Sequence, residues 1–136
     1  MHFLIVEDNP HTARLLQIHL SSFGTVDIAG NAREALLKAG AITYDFFFLD
    51  IQLGPGPDGV SLMRTLRADL RYADRPMIAF TASCGPDYKE QFRRDGFDGF
   101  LGKPFTKDDV RDVIVSNNVD LGHWHATSAP RQGSGS

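Results

Sequence analysis

Apolar residues recur along the chain in five short runs, at 3–6, 26–29, 46–49, 77–80 and 97–101. The first, third and fourth runs contain no polar residue at all. Continuous apolar runs of this length are typical of strands that are buried on both faces of a parallel sheet. The pattern therefore predicts five strands with their sheet in the interior of the molecule.

The segments between these runs have the periodicity of helices. Pro10 suits the first turn of one helix, and Asn31 with Glu34 has the capping-box spacing for a second, which Gly40 would end. The predicted helices begin near residues 10, 31, 58, 86 and 106. Their expected buried side chains are Ala13, Leu16 and Leu20; Ala32, Ala35, Leu36 and Ala39; Leu62, Met63, Leu66 and Leu70; and Val110, Val113 and Ile114. The fourth helix has a weaker pattern, with Tyr88 and Phe92 as its large apolar residues.

Strand and helix therefore alternate five times along the chain. Because crossovers between parallel strands are right-handed, the helices would cover both faces of the sheet. The predicted fold class is α/β, a three-layer α/β/α sandwich around a five-stranded parallel sheet. In sheets of this kind, functional sites lie beyond the carboxyl ends of the strands.

Polar residues follow four of the five predicted strands. Glu7 and Asp8 follow the first, Asp50 the third, Thr81 the fourth and Lys103 the fifth. Three carboxylates at one edge would repel one another and need a cation, and oxygen ligands suit Mg²⁺. A divalent cation, an ammonium and a hydroxyl around a carboxylate suit phosphoryl transfer, with Asp50 as the nucleophile.

Five short segments together resemble the CheY-like receiver domain family of two-component response regulators. They are LIVEDN at 4–9, FLD at 48–50, DG at 58–59, FTA at 80–82 and GKPF at 102–105. The resemblance covers residues 2 to about 117 and implies the flavodoxin-like strand order 2-1-3-4-5. We therefore expect a receiver domain over 1–117, followed by a tail, linker or expression scar over 118–136.

The same resemblance assigns the acceptor and the metal ligands. Asp50 is similar to the family's phosphoacceptor, and Glu7 and Asp8 to its acidic pair. These three carboxylates, with the backbone carbonyl of Gln52, would hold Mg²⁺. Gln52 and Ser83 would flank the approach of the water that later hydrolyses the acyl phosphate.

The switch residues follow in the same way. Thr81 resembles the hydroxyl that moves toward the phosphoryl group, and Lys103 resembles the lysine that pairs with it. Phe100 lies at the position of the family's aromatic switch residue. The resemblance also implies that the bond between Lys103 and Pro104 is cis, an uncommon form even before proline.

The sequence departs from the family pattern in three places. The segment between Asp50 and Asp58 is one residue longer than usual, which would alter the loop beside the acceptor. Phe100 has no hydroxyl, so a switch that hydrogen-bonds through tyrosine is not available. We expect no effector domain within the residues that follow the predicted receiver fold, and the sequence does not identify the output partner.

Composition limits the partners. With 17 acidic and 14 basic residues the net charge is −3, which argues against direct binding of nucleic acid by this domain. The single cysteine, Cys84, fits a reducing, cytoplasmic setting, and the short apolar start is neither a signal peptide nor a membrane span. The expected partners are a sensor histidine kinase or histidine phosphotransfer protein, a downstream effector, and a second copy docked through the fourth helix, fifth strand and fifth helix.

Two other functions are compatible with parts of this pattern. One is a receiver-like module that binds its partner without being phosphorylated. The other is a phosphatase with an aspartyl nucleophile, a class that usually carries a second aspartate where this chain has Gln52. We expect a signalling domain rather than a conventional enzyme.

Overall fold

The computed structural model describes residues 1–53, 58–82 and 85–117. Its strands are β1 His2–Val6, β2 Thr25–Ala29, β3 Phe46–Asp50, β4 Met77–Thr81 and β5 Gly99–Gly102. Its helices are α1 Pro10–Leu20, α2 Ala32–Ala41, α3 Gly59–Arg67, α4 Pro86–Asp95 and α5 Lys107–Ser116, with a short 3₁₀ turn Leu70–Tyr72. The predicted tail at 118–136, part of the long loop at 54–57, and Ser83 and Cys84 lie outside the described residues.

The five strands form one parallel sheet in the order β2-β1-β3-β4-β5, which confirms the predicted fold class and strand order. Every residue of β3 and β4 is buried, as their unbroken apolar runs require of strands covered on both faces. The strand β2 lies at the sheet edge and is only partly buried, which explains its mixed sequence.

Two apolar clusters fill the space between the sheet and its helices. On one face, Leu16 and Leu20 of α1 and Val110 and Ile114 of α5 pack in one cluster with Phe3, Phe46, Phe48 and Phe80 of the strands. On the other face, α2, α3 and Phe92 of α4 cover the opposite side chains of the same strands. The alternation of side chains along each strand supplies both clusters and gives the three-layer architecture.

Two expectations for buried leucines are wrong. Leu36 is 39% exposed and Leu70 is 92% exposed. The helix α3 ends at Arg67, so its periodicity no longer applies at residue 70. Tyr72 is fully buried near that point instead, and its hydroxyl lies 2.7 and 2.9 Å from the carbonyl oxygens of Ala39 and Ile42, which share its one hydrogen.

The helix ends also differ in detail from the sequence pattern. Gly40 does not end α2, which continues to Ala41. The Asn31 side chain caps the helix by accepting from the Glu34 N–H at 2.8 Å, but the Glu34 carboxylate accepts from the Gly30 N–H and not from Asn31. A reciprocal capping box forms at α5.

Phe97 was expected to open the fifth strand, but β5 begins at Gly99. The Phe97 ring is buried against Phe92 of α4, with the ring centres 6.1 Å apart. Phe97 is therefore apolar because it packs against α4 from the loop before β5, and not because it belongs to the strand. Across the three described stretches of chain, no helix has both the length and the apolar character needed to cross a membrane.

Candidate functional site

The register of the sheet aligns the polar residues that follow the strands. Val6 pairs with Leu49, Asp50 with Phe80 and Thr81 with Gly102. Since all strands are parallel, their carboxyl ends meet at one edge, and the residues directly beyond them face the same space. The sequence predicted this edge as the location of the chemistry, and the structure brings the predicted side chains together there.

Three carboxylates form the centre of this cluster. One oxygen from each of Glu7, Asp8 and Asp50 lies within 4.8 Å of the others. Glu7 and Asp50 are only 3% and 5% exposed, whereas Asp8 is open to solvent. A hydrogen bond with the Glu7 carboxyl, together with burial and the Glu7 charge, raises the pKa of Asp8.

Lys103 supplies the positive charge. Its Nζ contacts Glu7 Oε1 and lies 3.5 Å from Asp50 Oδ2. The same ammonium lies 4.5 Å from the centre of the Phe80 ring, and the Lys103 backbone N–H donates to the Thr81 carbonyl at 2.8 Å. The lysine is therefore held by β1, β3 and β4 together. The Lys103–Pro104 bond is cis, as expected.

Backbone donors fix the two buried carboxylates. The Asn9 N–H donates to Glu7 Oε2 at 2.9 Å, and the Gln52 N–H donates to Asp50 Oδ1 at 3.0 Å. Both oxygens of Glu7 thus have a partner, one on Lys103 and one on Asn9. Charge-assisted contacts of this kind hold an anionic side chain in one geometry.

Gly59, the first residue of α3, brings that helix close to the end of β3. A Cβ at this position would lie 2.2 Å from the Asp50 carbonyl oxygen, so only glycine fits. The Gly59 N–H donates to the Ile51 carbonyl at 3.1 Å, and the Asp58 side chain caps the helix by accepting from the Ser61 N–H. The segment DG therefore positions the backbone next to Asp50.

The two predicted switch residues lie on the neighbouring strands β4 and β5. Thr81 ends β4 and is 3% exposed, and Phe100 is half-buried on the neighbouring strand β5. The ammonium of Lys89, on α4, lies 4.7 Å from the centre of the Phe100 ring. Their switching roles, and a role of the Gln52 carbonyl as a ligand, stay predictions; Ser83 lies outside the described residues.

Sequence reasoning missed four contributions. Asn9 donates to Glu7, Gly59 permits the close approach of α3, Phe80 lies against the Lys103 ammonium and Lys89 lies over Phe100. Asn9, Gly59 and Phe80 all lie within the family motifs. However, the apolar run around Phe80 does not distinguish it from an ordinary core residue. The contact made by Lys89 depends on how α4 sits on β5, which no local signal reports.

The chemistry of the donor set fits a hard divalent cation. Carboxylate oxygens are the preferred ligands of Mg²⁺, which keeps several waters and needs few protein ligands. Solvent reaches the cluster at Asp8, whereas Glu7 and Asp50 offer oxygens from the buried side. The arrangement brings together a buried carboxylate, an ammonium and a place for a divalent ion, as phosphoryl transfer requires.

Comparison with known proteins connects this site to one family. The family model described as "Response regulator receiver domain" matches residues 3–115. The chemotaxis protein CheY of Pseudomonas aeruginosa is 30% identical over 118 residues, which cover 84% of this chain and 93% of that protein. Response regulator Rre1 of Synechocystis is 31% identical, over 82% of this chain and 48% of its own length.

Larger proteins and solved structures agree with this match. Hybrid signal transduction histidine kinase D of Dictyostelium discoideum is 28% identical over 83% of this chain, which spans only 7% of that protein. The structure of the chemotaxis response regulator CheY4 of Vibrio cholerae is 25% identical, with a TM-score of 0.78 over 85% of this chain and 97% of that one. This chain thus spans from a small fraction to nearly all of the relatives it matches.

Proposed function

Because the chain belongs to the response regulator receiver domain family, a family of signalling modules, we propose that Asp50 is its phosphoacceptor. The observation that supports this role is the buried Asp50 carboxylate, which lies beside Lys103 and within 4.8 Å of the Glu7 and Asp8 carboxylates. A carboxylate in this setting is an oriented nucleophile in a cluster able to neutralise a phosphoryl group.

The transfer proceeds from a phosphohistidine on a partner protein. An Asp50 carboxylate oxygen attacks the phosphorus, the phosphorus–nitrogen bond breaks and the electron pair leaves on the imidazole of the donor. The product is an acyl phosphate on Asp50. The hydrogen bond from the Gln52 N–H to Asp50 Oδ1 holds the nucleophile in place during the approach.

Glu7, Asp8, Asp50 and the backbone carbonyl of Gln52 would hold Mg²⁺. The ion, when bound, supplies positive charge to the equatorial phosphoryl oxygens. Glu7 and Asp50 offer their oxygens from the buried side of the cluster, and Asp8 from the solvent side. Asn9 and Lys103 keep Glu7 oriented through contacts to its two oxygens.

The product is recognised by Lys103 and Thr81. The Lys103 ammonium pairs with a phosphoryl oxygen, and the Thr81 hydroxyl donates a hydrogen bond to another. The inward movement of Thr81 leaves space that the Phe100 ring fills, and the surface around α4 rearranges. A local change of charge thereby biases a two-state element.

The donor is a sensor histidine kinase or a histidine phosphotransfer protein. The domain comprises residues 1–117, works in the cytoplasm and passes the signal to an effector, without contacting nucleic acid or membrane itself.

A second copy docks through α4, β5 and α5. That surface carries exposed charges of both signs, such as Arg93 and Arg94 on α4 and Asp108 and Arg111 on α5, which pair within their own helices.

Intact-protein mass spectrometry after incubation with acetyl phosphate and Mg²⁺ tests the acceptor. We expect one phosphoryl group on the wild-type chain, none on Asp50→Asn, at most weak modification of Lys103→Ala, and none in a metal-free sample. Asp58→Asn is the matched control, because Asp58 is a nearby aspartate outside the cluster and asparagine also caps helices.

Modification of Asp50→Asn at the wild-type level would refute the assignment. If wild type takes no phosphoryl group and a beryllofluoride titration leaves its spectrum unchanged, the chain is a binding module that retains only the receiver fold.

A further inference from the structure

Phe100 has an unusual neighbour on its solvent side. The ring is half-buried and packs against the apolar cluster that α2, α3 and α4 cover. The Lys89 side chain extends from the exposed surface of α4, and its ammonium lies 4.7 Å from the ring centre. Within the described ranges Lys89 forms no ion pair, so this ring is the partner of its charge.

Two surface pockets are lined by Phe100. One pocket, between α4 and β5, is lined by Lys89 and Phe100 together with Phe92, Arg93 and Phe97. A second, between β5 and α5, is lined by the same Lys89 and Phe100 and by residues of α5 that include Val113. Lys89 and Phe100 therefore line both pockets, and the contact between the ammonium and the ring is shared by the two.

We propose that Lys89 is a positioning residue that holds the Phe100 ring in this half-exposed position, and thereby biases the switch toward its resting state. The proposal rests on the proposed function, which makes Phe100 the switch residue. A cation is attracted to the face of an aromatic ring, and that attraction is lost when the ring turns away into the core. Lys89 thus stabilises one of the two ring positions and contributes nothing to the other.

The charge of Lys89 is what matters, and neighbouring cations do not share its role. Arg93 is one helical turn further along α4 and lines the same pocket, but its guanidinium pairs with Glu90. Arg93 therefore provides a matched control: its removal takes a cation from the same helix and pocket without touching the ring. Lys89→Arg retains a cation over Phe100, and Lys89→Met retains a stem of similar length without charge.

The ring position can be read by NMR of the unphosphorylated chain labelled with ¹³C in its phenylalanine rings, with Phe100→Leu to assign the signal. A soluble paramagnetic agent reports how exposed that ring is. For Lys89→Met we expect the ratio of inward to outward ring positions to rise about two- to fivefold, with weaker relaxation by the agent. Lys89→Arg and Arg93→Met should both match wild type.

An unchanged Phe100 signal in Lys89→Met overturns the proposal, and so does an equal shift in Arg93→Met, which would indicate a general effect of charge. Lys89→Gln repeats the measurement with a second uncharged side chain. Because the ring is read without any phosphoryl group, this result is independent of acceptor chemistry. Phosphorylation of wild type by acetyl phosphate, measured in parallel, shows separately whether the proposed function holds.

Discussion

At the scale of single residues, Gly59 shows how closely the site depends on its backbone. Its position next to the Asp50 carbonyl leaves no room for a side chain, since an added Cβ would lie 2.2 Å from that oxygen. The helix α3 and the end of β3 are thus in contact through main-chain atoms. A residue with no functional group of its own thus sets how closely α3 approaches Asp50.

We predict that Gly59→Ala lowers the free energy of unfolding by about 1–3 kcal/mol, because either α3 or the end of β3 must move. Urea denaturation measures this, and the Mg²⁺-dependent modification of Asp50 should fall with it. Gly40→Ala is the control, since nothing lies within 4 Å of a Cβ there and the residue is inside α2. That change should stabilise slightly through helix propensity; equal urea midpoints for Gly59→Ala and wild type would contradict the prediction.

At the scale of elements, Arg67 joins parts of the chain that no sheet hydrogen bond connects. Its Nη1 donates to the carbonyls of Tyr72, Ala73 and Arg75 at 3.4, 3.1 and 2.7 Å. Its Nη2 donates to the Gly96 carbonyl at 3.1 Å and to Asp98 Oδ2 at 2.6 Å. The end of α3 is thereby tied to the segments that enter β4 and β5.

Arg67→Met is expected to lower the free energy of unfolding by about 2–3 kcal/mol, because several carbonyls and the Asp98 carboxylate lose a charged donor. Chemical denaturation followed by circular dichroism measures the change. Arg71→Met should have little effect, since the Arg71 guanidinium pairs with Asp69 at the surface. A loss in Arg71→Met as large as that in Arg67→Met would show that the contacts of Arg67 are not responsible.

The elements themselves could be predicted from the sequence to different degrees. Strands β1 to β4 were located within one residue, and for β1, β3 and β4 the signal was the unbroken apolar run that burial on both faces leaves. Leu36 and Leu70 were placed in the core wrongly, since a stripe of apolar residues does not reveal how wide the covered face is or where a helix ends. The buried Tyr72 was missed because a single aromatic residue in a turn has no periodicity.

The site could be predicted as a set of residues but not as a set of contacts. Motifs at strand ends identify Glu7, Asp50 and Lys103, because parallel strands deliver their carboxyl ends to one edge. That Lys103 contacts Glu7 as well as Asp50 depends on the reach of two long side chains across the sheet. The distances from Lys103 to Glu7 and Asp50 are set by the pairing register of the strands, which the local sequence does not reveal.

At the scale of the whole molecule, folding gathers three carboxylates around one ammonium, which leaves excess negative charge at the carboxyl edge of the sheet. Because the pKa of Asp8 is raised in the folded chain, the free energy of unfolding depends on pH in a defined direction. The folded chain binds a proton at Asp8 more tightly than the unfolded chain, so this stabilisation is lost as the pH rises through the raised pKa. At neutral pH the ionised Asp8 is therefore destabilising in the absence of metal.

We therefore predict that Mg²⁺ raises the melting temperature of wild type, because a ligand of the folded state stabilises it. In metal-free buffer Asp8→Asn should melt above wild type, and its rise on addition of Mg²⁺ should be smaller. Thermal denaturation with and without Mg²⁺ measures both, and Asp112→Asn, an exposed position on α5, should respond as wild type does. Equal rises in Asp8→Asn and wild type would exclude Asp8 as a ligand.

The contact between Glu7 and Lys103 joins residues 96 positions apart, from the first and the last strand regions of the domain. During synthesis, a chain that has produced β1 to β4 already carries the acceptor and its acidic neighbours but not their lysine. Contacts of such long sequence separation form late, because the intervening chain must first be ordered. A nascent or truncated chain therefore lacks the counter-charge of its carboxylates, and the group formed by Glu7, Asp50 and Lys103 is complete only once β5 and the residue after it have been made.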